Sequence, residues 1–240
     1  MISRLLALAL VVVASRGCVR YEYEHEFWLR VDGSGSVYVT GRPELWTAFK
    51  GLPPDAARSE AALRDAARDL FVSSGLRVRR VTVTHRDGRP YLFVSADFAD
   101  VRALGGTPAF PDIRLSLRRH DDRLLLEGRW SRPEGTPPVS IADPSGLMAV
   151  RFHLPSRIYE HHNASLGVER GNIVSWTQDL RQALLGSPLT LGATLDSRSI
   201  LWSTVTLFAA AIGSALLILG LGLWLAARRG SRQSAPPGAP

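Results

Sequence analysis

Few residues in this 240-residue chain combine the type and the spacing that chemistry requires. Glu160, His161 and His162 form the one cluster that sets acid–base or ligand side chains next to each other. Consecutive residues point to opposite faces of a strand and do not share a helix face, so the two imidazoles do not converge on one ion. The cluster therefore reads as an exposed loop. Glu22, Glu24 and Glu26 stand two apart and Asp121 adjoins Asp122, but these carboxylates are paired in sequence only. The glutamate row is most simply a solvent-facing strand edge. His25 falls on the opposite, inward side with no partner at metal-ligand spacing, and reads as a core histidine. Asn163-Ala164-Ser165 matches a glycosylation sequon, a triplet common by chance. No G-x-S-x-G elbow, H-E-x-x-H pair, phosphate-binding loop or C-x-x-C pair occurs. Cys18 is the single cysteine, so no intramolecular disulfide can form and no cysteine nucleophile remains for the rest of the chain. The expectation is a non-enzyme, with no catalytic or metal-ligating residue and no cofactor.

The two ends carry the clearer signals. Residues 1–4 are a short basic start, residues 5–14 an apolar run, and Ser15, Arg16 and Gly17 lead into Cys18. This is the layout of an export signal, residues 1–17, too short for a conventional spanning helix. It resembles a bacterial lipoprotein signal in which the cysteine becomes the first mature residue and carries acyl chains. Gly17 fits that pattern, whereas Ser15 and Arg16 depart from it. Lipidation of Cys18, plain cleavage and an uncleaved anchor all stay open, with lipidation favoured. Residues 200–227 hold 28 positions without an Asp, Glu, Lys, Arg or His. About 20 apolar residues suffice to cross a bilayer. Trp202 and Trp224 lie near the ends of the run, and Arg228, Arg229 and Arg232 follow as a cytoplasmic basic flank. Residues 18–199 would then lie outside the cytoplasmic membrane of a bacterium. The tail, 228–240, is expected to be disordered inside the cell.

Charge supports this layout. The net charge is +7, yet five of the 29 Lys+Arg residues flank the hydrophobic segments, leaving 24 against 22 Asp+Glu between them. The basicity is topogenic, and a nucleic-acid partner is not expected. Within the apolar run, Ala209, Gly213 and Gly220 fall near one helical face, where small residues allow close helix packing. Leu216 and Leu217 interrupt that stripe, so lipid contact and self-association both stay open.

Between the ends, strand periodicity dominates. Residues 21–31 alternate strictly, the 32–36 turn is Asp/Gly/Ser-rich, and 37–40 return. A short helix is expected within 43–52 and a firmer one from Asp55 to about Ser74, with Leu63, Ala66, Ala67 and Leu70 at helical spacing. Further strands follow at 76–86, with a bulge near Arg79-Arg80, and at 91–98, across an Asp87-Gly88 turn. The remaining strand segments are 113–119, 124–130, 148–154, 172–180 and 189–195, with a long loop at 131–144. The fold class is α+β, a mostly antiparallel sheet with one main helix, plus a C-terminal transmembrane helix.

Cys18 closing a signal, VDGSG at 31–35, FHLPSRIYEHHNAS at 152–165 and GNIVSW at 171–176 together resemble the LppM-like bacterial lipoproteins. The stretch 161–170 departs from that pattern. The resemblance implies an envelope protein with a β-rich domain and lipid or glycolipid handling, and it names no residues. The expected function is a membrane-anchored extracytoplasmic binding module whose partners are the membrane and a lipid or envelope protein. A structural or signalling subunit of an envelope complex is the alternative, followed by an envelope enzyme with an unrecognised site.

Overall fold

A computed structural model describes residues 21–136, 141, 143–165, 168–169, 172–198 and 200–233. Cys18, the whole signal segment and residues 234–240 lie outside the described residues. The chain divides into two units, one ending at Ser197 and one beginning at Arg198.

Alternation builds the first strand as expected. In β1 (Tyr21–Leu29) Tyr23, His25, Phe27 and Leu29 are buried, while Glu22, Glu24 and Glu26 are half-buried and Trp28 is exposed. The return into β2 (Gly35–Gly41) is set by Asp32, whose Oδ1 accepts the Ser34 amide at 2.9 Å, and by Gly33 at φ 88°. Two helices follow. Helix α1 (Pro43–Lys50) opens with Pro43 and stops at Gly51 in the left-handed region, φ 68°. Helix α2 (Glu60–Ser73) starts later than expected from Asp55, because residues 54–58 form a 3-10 turn. Ser59 is the cap instead, its hydroxyl accepting the Ala62 amide at 3.2 Å. Leu63, Ala67 and Phe71 are its buried stripe.

Strands β3 (Arg77–Arg86) and β4 (Arg89–Phe98) form a hairpin through Asp87 and Gly88, at φ 52° and 76°. The register slips between Val78 and Arg80, where a bulge was expected. The chain continues through β5 (Ile113–His120), β6 (Arg123–Trp130), β7 (Leu147–His153), β8 (Ile158–His162), β9 (Val168–Glu169) and β10 (Ile173–Asp179). A one-turn helix α3 (Leu180–Leu184) leads to β11 (Leu189–Asp196). Among the described residues the strands form two sheets, ordered β3-β4-β2-β1-β7-β10-β9 and β5-β6-β11-β8. Every pairing is antiparallel except β1 with β7.

Two sequence expectations change here. The glutamate row does not sit on a sheet edge, because β1 is flanked by β2 and β7. Residues 160–162 are not a loop but lie in β8, which takes its hydrogen bonds from β11. Both corrections come from strand partners remote in sequence. One core joins the elements, with Phe27, Trp46, Phe49, Phe110, Trp130, Phe152 and Trp176 all fully buried. Burying an aromatic side chain of this size contributes about 1.5–3 kcal/mol.

The second unit is α4 (Ile200–Gln233). Its segment Thr204–Leu225, 22 residues with a mean hydropathy of 2.2, is long and apolar enough to cross a membrane. The α+β class with such a C-terminal helix is therefore the architecture observed. The helix does not end at Ala227 but runs through Gln233, so the tail expected to be disordered from 228 is helical for its first six residues. Alanine and arginine are strong helix formers, and no proline intervenes before Pro236.

Candidate functional site

The outer face of the larger sheet carries the most exposed aromatic ring of the β-strands. Strand β1 presents Glu24, Glu26 and Trp28 there, and β7 aligns Arg151 beside Glu26 and His153 beside Trp28. Trp28 is 47% exposed. Its indole stacks on the His153 imidazole, centroids 3.7 Å apart and planes 8° from parallel. His153 Nε2 lies 2.6 Å from Glu26 Oε1, which fixes the imidazole plane that supports the indole. Arg151 continues the row, with Nη1 3.3 Å from Glu24 Oε1 and Nε donating to Ser175 Oγ at 3.1 Å. A cleft of about 330 Å³ opens beside this stack, and Arg30, Tyr38, Arg79 and Asn172 line it with Trp28 and His153. Its volume is at the small end of ligand sites, and its wall mixes ring faces with cationic and amide groups. The Tyr38 ring is backed by Phe93, stacked at 6.0 Å, so both aromatic walls are held from behind. Such a surface offers rigid amphipathic contact area with hydrogen-bonding groups around it.

A second constellation is closed to solvent. Lys50, at the end of α1, points inward and donates from Nζ to Asp112 Oδ1 at 3.0 Å and to the Ala109 carbonyl at 2.6 Å. Asp112 Oδ2 accepts the Trp130 indole N–H at 3.1 Å and the Tyr23 hydroxyl at 3.5 Å. His25 Nε2 lies 3.5 Å from the same oxygen, and neither ring nitrogen finds a hydrogen-bond partner among the described residues. Phe110 covers the ammonium, 4.4 Å from ring centroid to Nζ. Burial pushes the Asp112 carboxyl up against the pull of Lys50, and pushes the Lys50 ammonium down against the pull of Asp112. Burial, with Lys50 beside it, holds His25 well below the usual imidazole range, and burial with the Asp112 charge holds Tyr23 well above the usual phenol range. All these effects disfavour charge where water is excluded.

The residues singled out from sequence divide clearly. His25 is inward and buried as expected, and it stands beside Asp112 with neither ring nitrogen hydrogen-bonded among the described residues. His161 and His162 occupy successive positions of β8, opposite Ala193 and Gly192, and no group of three metal-ligating side chains occurs among the described residues. Asp121 holds the tip of the β5–β6 hairpin at φ 54°, an exposed turn. Ala209, Gly213 and Gly220 lie on α4 with their surroundings open, and a Cβ added to either glycine meets nothing within 4 Å. Cys18 is outside the described residues. Sequence reasoning passed over Trp28, His153, Lys50 and Asp112. One signal for Lys50 was available: it is the only lysine in the chain, all other cationic side chains of that class being arginine. Arginine stays protonated everywhere, whereas lysine can be neutralised by burial.

No family model and no curated protein matches this chain. Among solved structures, the folded domain of LppM from Mycobacterium tuberculosis, determined by NMR, aligns over 76% of this chain and 94% of that one at 16% identity. The TM-score is 0.41, a distant likeness across which no residue role is carried.

Proposed function

We propose that this chain is a single-pass, membrane-anchored binding module of the bacterial envelope. Its main domain would lie outside the cytoplasmic membrane and its C-terminus inside, and its ligand site would be the Trp28–His153 face. The ligand class that fits is the polar, ring-bearing part of an envelope lipid or glycolipid. The observation that carries the reading is Trp28, a half-exposed indole on a central strand, pre-packed on His153 beside a cleft with Arg30, Tyr38 and Asn172. An aromatic ring held in place before binding gives up little conformational entropy when a sugar or headgroup docks on it. The cleft is small and partly cationic, which suits a headgroup better than an acyl chain. The apolar helix α4 supplies the tether.

The test is native mass spectrometry of the domain ending at Ser197, after incubation with envelope lipid extract. Wild-type protein is expected to retain lipid, and Trp28→Ala to lose it. A wild-type domain that takes up no lipid, or a Trp28→Ala domain that takes up as much, overturns the assignment.

A further inference from the structure

We propose that Lys50 and Asp112 condense, Nζ to Cγ, into an intramolecular amide that ties the end of α1 to the segment entering β5. Three observations converge on this. First, the chain contains a single lysine, and it is the residue placed against the buried aspartate. Second, the two groups are in contact, Nζ to Oδ1 at 3.0 Å, and both side chains are fully shielded from water. Third, the surrounding groups suit acyl transfer. Trp130 Nε1–H and Tyr23 O–H both aim at Oδ2, where negative charge develops when an amine adds to Cγ. The Ala109 carbonyl holds a second Nζ hydrogen and so fixes the amine's orientation. His25 stands beside the same carboxyl, its Nε2 3.5 Å from Oδ2, the oxygen on which charge develops.

The step balances without any co-reactant. The ammonium passes one proton to Oδ1, giving a neutral amine and a carboxylic acid, the forms that exclusion of water favours. The amine lone pair adds to Cγ and Oδ2 takes the charge. The nitrogen then releases a second hydrogen to the departing Oδ1, which leaves as water when the Cγ–Oδ1 bond breaks. One hydrogen remains on the amide nitrogen and can keep the bond to the Ala109 carbonyl, while Oδ2 becomes the amide oxygen and keeps the Trp130 donor. The product satisfies the same partners with no buried charge. Holding the reactants together in the fold replaces an unfavourable bimolecular encounter with an intramolecular one, worth an effective concentration of up to about 10⁵–10⁸ M. With a single cysteine the chain cannot form an internal disulfide, and this bond would join positions 62 residues apart in its place.

The decisive measurement uses the full chain, purified in detergent, unfolded, treated with an amine-reactive reagent and digested with trypsin. The expected result is a linked peptide containing Lys50 and Asp112, lighter by one water than its two parts, with no cleavage after Lys50 and no reagent on it. Lys50→Arg is expected to lose the linked peptide entirely. Recovery of Lys50 in a single unlinked peptide, modified by the reagent, overturns the proposal from wild-type protein alone, whether or not the variant folds.

Discussion

Trp28 and His153 stack face to face across the β1–β7 pair, and β1–β7 is the parallel pairing in a sheet whose other neighbours run antiparallel. Aligned residues of neighbouring strands project to the same side of a sheet, so the exposed indole rests on the imidazole. His153 is anchored in turn by Glu26, two residues before Trp28 on the same strand. The stack is therefore a closed triangle of two strands, and the ring available for a ligand is positioned by residues that a ligand need not touch.

This separates binding from stability. Trp28→Ala removes the exposed ring and should weaken ligand retention by about tenfold or more, the cost typical of an aromatic anchor. It should change the melting temperature little, since the side chain contributes no core packing. His153→Ala should weaken binding as well, by releasing the indole. Thermal melts and lipid retention measured on the same two variants check the split.

Gly35 is tested differently. It begins β2 directly opposite Leu29, and a Cβ there would run into the Trp28 carbonyl oxygen and meet Phe98 at 2.8 Å. Backbone cannot move aside as a flexible side chain can. Gly35→Ala should therefore destabilise the domain by about 1–3 kcal/mol, the usual cost of overpacking. Denaturant midpoints compared with those of Thr84→Ala, at an exposed position of β3, provide the check.

Acid should act through Asp143. The Ser145 hydroxyl and amide, then the Arg89 guanidinium, hold its carboxyl down from 3.8 to about 2. A carboxylate with a depressed folded-state value stabilises the fold above its unfolded value, and that contribution is lost as pH falls from 3.8 to about 2. Asp143→Asn should remove this part of the pH dependence while leaving the behaviour near neutrality unchanged in slope. Melting temperatures across that window for the two proteins will show it.

Membrane attachment has its own readouts. Cys18→Ala should abolish incorporation of a palmitate analogue. If α4 self-associates through the face of Ala209, Gly213 and Gly220, Gly213→Leu and Gly220→Leu should reduce that association in a bilayer reporter assay, and unchanged association leaves lipid contact as the role of this face.

Local features of this fold were legible in the sequence, and remote ones were not. The alternation of β1, the Asp87-Gly88 turn and the bulge beside Arg80 depend on a few neighbouring residues, and the structure bears each of them out. The glutamate row was misjudged as an edge because β7, which flanks it, lies far along the chain. Residues 160–162 escaped as a strand because β8 is five residues long and relies on β11 for pairing. The candidate sites depend even more on distant contacts. Nothing near Lys50 in sequence announces Asp112, and nothing near Trp28 announces His153. His25 could be placed on the inward face, but the group it faces could not be read from its own strand.

The parallel pairing at the centre of the larger sheet also has a temporal meaning. Glu26 and His153, which meet across it, are 127 residues apart in the chain. Contacts of such separation form slowly, since a long loop must close before they contribute. During synthesis β1 has to wait for β7, one of its two neighbours, until well over half of the 240 residues have been made.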